Sequence, residues 1–119
     1  MRVSSYKELE AYKKSYAVVK DIYRLTKEFP KDELYGIVSQ LRRAAVSVPA
    51  NIAEGYMRGS KEYVYFLKVA LGSSAEVETL LSLSNDLSFC GLDNFNKTHS
   101  LNTEVMKLLN YYVSKLNTN

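Results

Sequence analysis

Apolar residues along this chain recur at alternating steps of three and four, and nowhere is the two-residue alternation of a strand sustained. Two prolines and five glycines punctuate the sequence, and they fall where three joints separate four long periodic segments. The first segment, about residues 5–29, sets Leu9, Tyr12, Tyr16, Val19, Tyr23 and Thr26 on one predicted helical face. It stops at EFPKDE, because Pro30 lacks the amide to continue the ladder and biases Phe29 away from helical ψ. Asp32 and Glu33 then suit the positive end of a second helix.

That helix spans about residues 34–57, with Ile37, Leu41, Ala44, Ala45, Val48 and Ile52 as its apolar stripe. Pro49 lies inside it, which predicts a kink and a freed Ala45 carbonyl, with Ser47 and Asn51 placed to compensate. At RGSKE, Gly59 suits a left-handed cap and Ser60 an N-cap, with Tyr63 at the N3 position. The third segment, about residues 61–89, turns Tyr63, Phe66, Leu67, Ala70, Leu71, Ser74, Val77, Leu81 and Leu87 inward. Its small-residue run ALGSSAE favours close approach of a neighbouring helix. Gly91 is the expected C-cap and Asp93 the N-cap of a fourth helix, about residues 94–116, carrying Leu101, Val105, Leu108, Leu109, Tyr112 and Leu116. Four amphipathic helices with short joints predict an all-α fold, an antiparallel up-down-up-down four-helix bundle occupying residues 1–119 as a single domain.

One stretch of the second helix, QLRRAAVSVPANIAEG, carries unusual polar cargo. Gln40, Arg43, Ser47, Asn51, Glu54 and Arg58 recur at steps of three and four and form a polar line beside the apolar stripe. Short, hydrogen-bonding members set among alanines suggest a semi-buried line, with Arg43 paired to Glu54 or to Glu76 of the third helix. The same stretch, within ELYGIVSQLRRAAVSVPANIAEGYMRGSKEYVYFLKVALGSSAEVETLL, resembles the 23S rRNA intervening-sequence protein family. The resemblance covers about residues 6–90, and its motif falls on Gln40, Arg42, Arg43, Ala44, Ser47, Pro49, Asn51, Ile52, Glu54 and Gly55, then on Ser73 and Glu76. It implies a four-helix bundle assembled as a homopentamer. It further implies kinship to the basic accessory variability proteins of diversity-generating retroelements, which work with a reverse transcriptase and its RNA and have no catalytic centre.

Charge and composition narrow the chemistry. Sixteen Lys and Arg against 13 acids leave +3, modest beside those accessory proteins but compatible with a polyanion partner. Cys90 is the only cysteine, which excludes an internal disulfide and fits a reducing compartment. MRVSSYKELEAYKK lacks a secretory apolar region, and no run approaches the roughly 20 apolar residues of a membrane helix, so a cytoplasmic protein without membrane contact is expected. His99 and Cys90 have no partner pattern, Glu76 and Glu78 point in different directions, and RGSK lacks the glycine spacing of a P-loop. No catalytic residue, metal site or cofactor is expected.

On the first helix Lys13, Lys20, Arg24, Lys27 and Lys31 fall within about 60° of one another at roughly 100° per residue. Tyr12, Tyr16 and Tyr23 border this basic stripe, a pairing suited to phosphates and unstacked RNA bases. Arg42 and Arg58 are further candidate contacts. Six more tyrosines, Tyr35, Tyr56, Tyr63, Tyr65, Tyr111 and Tyr112, exceed what a narrow core holds and point to self-association or to covered bundle ends. The expected function is thus a non-enzymatic homo-oligomer that binds structured RNA or a polymerase–RNA complex. The alternative is a protein–protein adaptor that touches no nucleic acid.

Overall fold

Ser5 accepts a hydrogen bond from the Lys7 amide at 3.1 Å and starts a single 3-10 turn, Tyr6–Glu8, in place of the helix expected from residue 5. Leu9 is extended, and helix α1 then runs Glu10–Thr26. The computed structural model describes residues 5–117, so residues 1–4 and 118–119 of the expected domain lie outside it. Three further helices follow: α2 (Ser39–Arg58), α3 (Ser60–Asp86) and α4 (Leu92–Asn117), with no strand among the described residues.

The first face of the bundle differs from expectation. The buried residues of α1 are Ala11, Ser15, Val18, Ile22, Leu25 and Thr26, while Tyr16 and Tyr23 are 52% and 41% exposed. At roughly 100° per residue the core face is turned by about one position from the tyrosine row, and Lys13, Lys20 and Arg24 lie opposite it in solvent. Ala11 and Ser15 explain the turn: small side chains let α1 seat closely, and bulky amphipathic rings are left to its flank. The α2 stripe is buried as expected, from Ile37 through Ile52.

The joints are built differently from their expected caps. Between α1 and α2 the chain forms a 3-10 turn, Lys31–Glu33, then a π-helical turn, Leu34–Val38, in which Gly36 leaves helical dihedrals at φ −108° and ψ −113°. Helix α2 itself continues through Pro49. The Asn51 amide, expected near the Ala45 carbonyl, instead donates to the Ser47 carbonyl and hydroxyl at 2.7 and 2.9 Å. Gly59 alone joins α2 to α3 at φ +106°, and its carbonyl accepts from the Glu62 and Tyr63 amides, so it caps α3 and Ser60 is already inside the helix. Helix α3 ends in a Schellman motif three residues earlier than expected, with Ser88 rather than Gly91 at positive φ. There the Phe89 amide donates to the Ser84 carbonyl and the Ser88 amide to that of Asn85. Phe89 packs on Phe29 with ring centroids 5.6 Å apart. Gly91 begins α4 by accepting from the Phe95 amide, which puts Asp93 in the first turn rather than at the cap.

Each long helix packs on its successor, and α4 returns to α1, giving a body of 45 × 24 × 23 Å. Ser47 meets Ser73 while Gly55 meets Phe66, so α2 and α3 run in opposite directions. Ser74 meets Asn102 and Glu78 meets His99 in the same opposed order on α3 and α4. The Ser74–Asn102 pair is fully enclosed: the serine hydroxyl donates to Asn102 Oδ1 and Asn102 Nδ2 donates to the Ser74 carbonyl, both at 3.0 Å. No buried side-chain polar atom among the described residues lacks a partner.

Two glycines make opposite predictions. A Cβ on Gly55 would sit 2.6 Å from Phe66 Cβ, so Gly55→Ala should destabilise the bundle by about 1–3 kcal/mol in urea unfolding. Gly72, in the small-residue run of α3, faces open space instead of the expected helix contact, so Gly72→Ala should stabilise by about 0.5–1 kcal/mol.

Candidate nucleic-acid interface

The α1 tyrosines and the polar line of α2 meet along one side of the molecule. A groove of about 660 Å³ is lined by Tyr23, Leu34, Tyr35, Val38, Ser39, Arg42, Arg43, Val46 and Ser47. Val46 also borders a second hollow of about 350 Å³, walled by Tyr12, Tyr16, Val19, Lys20, Pro49, Ala50 and Ala53. The two concavities therefore adjoin, with Lys20, Arg42 and Arg43 in their walls and no carboxylate lining either. Burial, then the neighbouring Tyr6 and Tyr16, pushes the Tyr12 phenol above its usual value, so it stays neutral at the edge of this surface.

Arg42 is held in place before any ligand arrives. Its Nε donates to Thr26 Oγ1 at 2.9 Å, and its guanidinium lies 4.6 Å from the centre of the Tyr23 ring. Thr26 is itself fixed by donating to the Ile22 carbonyl at 2.7 Å. The terminal nitrogens of Arg42 make no hydrogen bond among the described residues, leaving a positioned fork of the kind that suits phosphate.

Arg43 departs from its expected role. It is exposed, donates to Ser39 Oγ at 3.3 Å, and pairs with neither Glu54 nor Glu76, although Arg43, Gln40 and Glu76 border the same shallow groove. Glu54 is taken by Arg58, whose Nη2 lies 2.8 Å from its Oε2 and whose Nη1 lies 3.2 Å from Glu62. Hydrogen bonds to Glu54 and then Glu62 raise the Arg58 pKa, and the guanidinium lies 5.0 Å from the Phe66 ring centre. Arg58, a candidate phosphate contact, thus lies between two carboxylates. Ser47 and Asn51 are half-buried, and Ser73 Oγ of α3 donates to Ser47 Oγ at 3.0 Å.

The basic stripe is spread out by the chain's path. Lys13, Lys20 and Arg24 are exposed on α1, Lys27 caps that helix, and Lys31 lies beyond Pro30 in the 3-10 turn. Asp21 holds Arg24 at 3.1 Å and Glu10 lies 3.9 Å from Lys13, while Lys20 sits 5.7 Å from the Tyr16 ring. Sequence patterning missed Leu34 and Val46 and assigned Tyr35 to self-association or a covered bundle end; their exposures of 47%, 43% and 93% are high for such side chains. The available signal was three apolar residues off the buried stripe of the second helix.

Elsewhere the chemistry is quiet. His99 is half-buried with Nε2 3.7 Å from Glu78, a partner across α3 and α4 that spacing did not reveal. Burial pushes the Cys90 thiol up, away from the reactive thiolate. Among the described residues there is no cluster of His, Cys, Asp and Glu able to hold a metal ion, and no helix long and apolar enough to cross a membrane.

Arg43→Ala should leave thermal stability within about 0.5 kcal/mol of the parent, because an exposed side chain on one neutral partner is lost. A large drop in the melting temperature would instead require a buried Arg43 ion pair.

The model of the 23S rRNA-intervening sequence protein family matches residues 7–111. Among solved structures, the chain is similar to a protein of unknown function from the S23 ribosomal protein family of Bacteroides thetaiotaomicron VPI-5482. The TM-score is 0.79 at 23% identity, over 87% of this chain and 95% of that one, a likeness that speaks to fold alone. No curated protein matches the chain.

Proposed function

The chain belongs to the 23S rRNA-intervening sequence protein family, and from that premise we propose that it is a non-enzymatic, cytoplasmic helical bundle that binds structured RNA or a ribonucleoprotein. The observation that carries this reading is the α1–α2 surface, where Lys20, Arg42 and Arg43 line adjoining concavities with four tyrosines and no carboxylate. Cations supply salt-sensitive attraction to phosphates, and aromatic faces supply sequence-tolerant stacking. A homo-oligomer, pentameric by the family resemblance, would repeat this surface and let weak contacts add on one polyanion.

A protein–protein adaptor is the second reading, favoured by uncovered apolar side chains near the α2–α3 joint and late in α4. Met57, Tyr65 and Tyr111 are 72%, 63% and 55% exposed, and burial, then the nearby Tyr112 and Tyr56, pushes the Tyr63 phenol above its usual value. In this reading a polymerase would dock there without direct RNA contact. The same surface also suits contact between subunits.

Fluorescence anisotropy with a structured RNA hairpin at two salt concentrations separates these readings, on protein whose solution mass is known from light scattering. RNA binding is expected to weaken steeply with salt and to be abolished by Lys20→Glu with Arg43→Glu at unchanged melting temperature. Absence of binding at low salt would instead favour the adaptor.

A further inference from the structure

We infer that the larger α1–α2 groove receives an unpaired nucleotide, its base stacked on Tyr35 and its flanking phosphates on Arg42 and Arg43. This rests on the RNA-binding reading above and adds the feature of RNA that the site selects. The floor and walls include Leu34, Val38 and Val46, which offer nothing to a sugar–phosphate backbone but match the flat apolar face of a base. At about 660 Å³ the space falls within the roughly 300–1,000 Å³ typical of sites that take small organic groups.

The two aromatic walls are not equivalent. Tyr23 already has the Arg42 guanidinium over its ring, whereas Tyr35 is 93% exposed and makes no ring contact with another residue among those described. Tyr35 stands on the turn Leu34–Val38, next to Gly36, where the backbone leaves helical dihedrals and turns the ring out beside the groove. A continuous duplex hides its base faces in the stack and could touch only the groove's rim. A loop or bulge can supply a base and two phosphates together, and the positive lining complements them.

The test uses two fluorescein-labelled RNAs of equal length and charge, a fully paired duplex and the same duplex interrupted by a small internal loop. The looped RNA should bind about tenfold more tightly. Tyr35→Ala should erase that preference without changing the salt dependence, because phosphate contacts remain, and Tyr35→Phe should retain it. Equal affinity for both RNAs, or a preference that survives Tyr35→Ala, overturns the unpaired-nucleotide site while leaving RNA binding intact. Failure of both RNAs to bind at low salt overturns the RNA reading as well.

Discussion

The close seating of α2 on α3 is the constraint on which the rest of the molecule depends. A single residue, Gly59, turns the chain between two helices of 20 and 27 residues, and Gly55 then lets Phe66 approach where a methyl group would collide. Further along the same seam, Ser73, Ser47 and Asn51 form a short hydrogen-bonded chain that satisfies polar groups between the helices. With this pair set, α1 and α4 complete the core from the other two sides. Among the polar residues of α2, Ser47 bonds Ser73 of α3 and Arg42 bonds Thr26 of α1, while Arg43 stands between the groove beside α1 and a smaller one bordered by Glu76.

Much of this was legible in the sequence because the α2 stripe and most of the α3 and α4 stripes are built from aliphatic residues at helical spacing. The α1 face was not, since its inward residues include Ala11 and Ser15, and larger tyrosines one position away carried the stronger apolar signal. Rings that are half apolar and half polar can serve either a core or a surface, and only the approach of α2 decides between them. The caps were misplaced for a related reason: Ser88 takes a left-handed conformation that glycine would ordinarily be expected to occupy.

Pairing of charges was the least legible feature. Arg43 was expected to pair with Glu54 or Glu76, but Glu54 lies three turns, roughly 16 Å, further along the helix and is held by two nitrogens of Arg58 one turn beyond it. Arg43, bonded to Ser39, lines the groove, whereas Arg58 lies between Glu54 and Glu62 at the far end of α2. The same rotation that hides Ala11 presents Tyr16 and Tyr23 to the groove side, so core packing and the candidate interface arise from one placement of α1.

The enclosed Ser74–Asn102 pair fixes the register of α4 on α3. Sliding α4 along α3 by one turn, about 5.4 Å, would strand the asparagine amide among aliphatic side chains. That seam therefore acts as a ratchet stop on α4, whereas the groove beside α1 is bordered by Leu34, Tyr35 and Val38 of the irregular turn before α2.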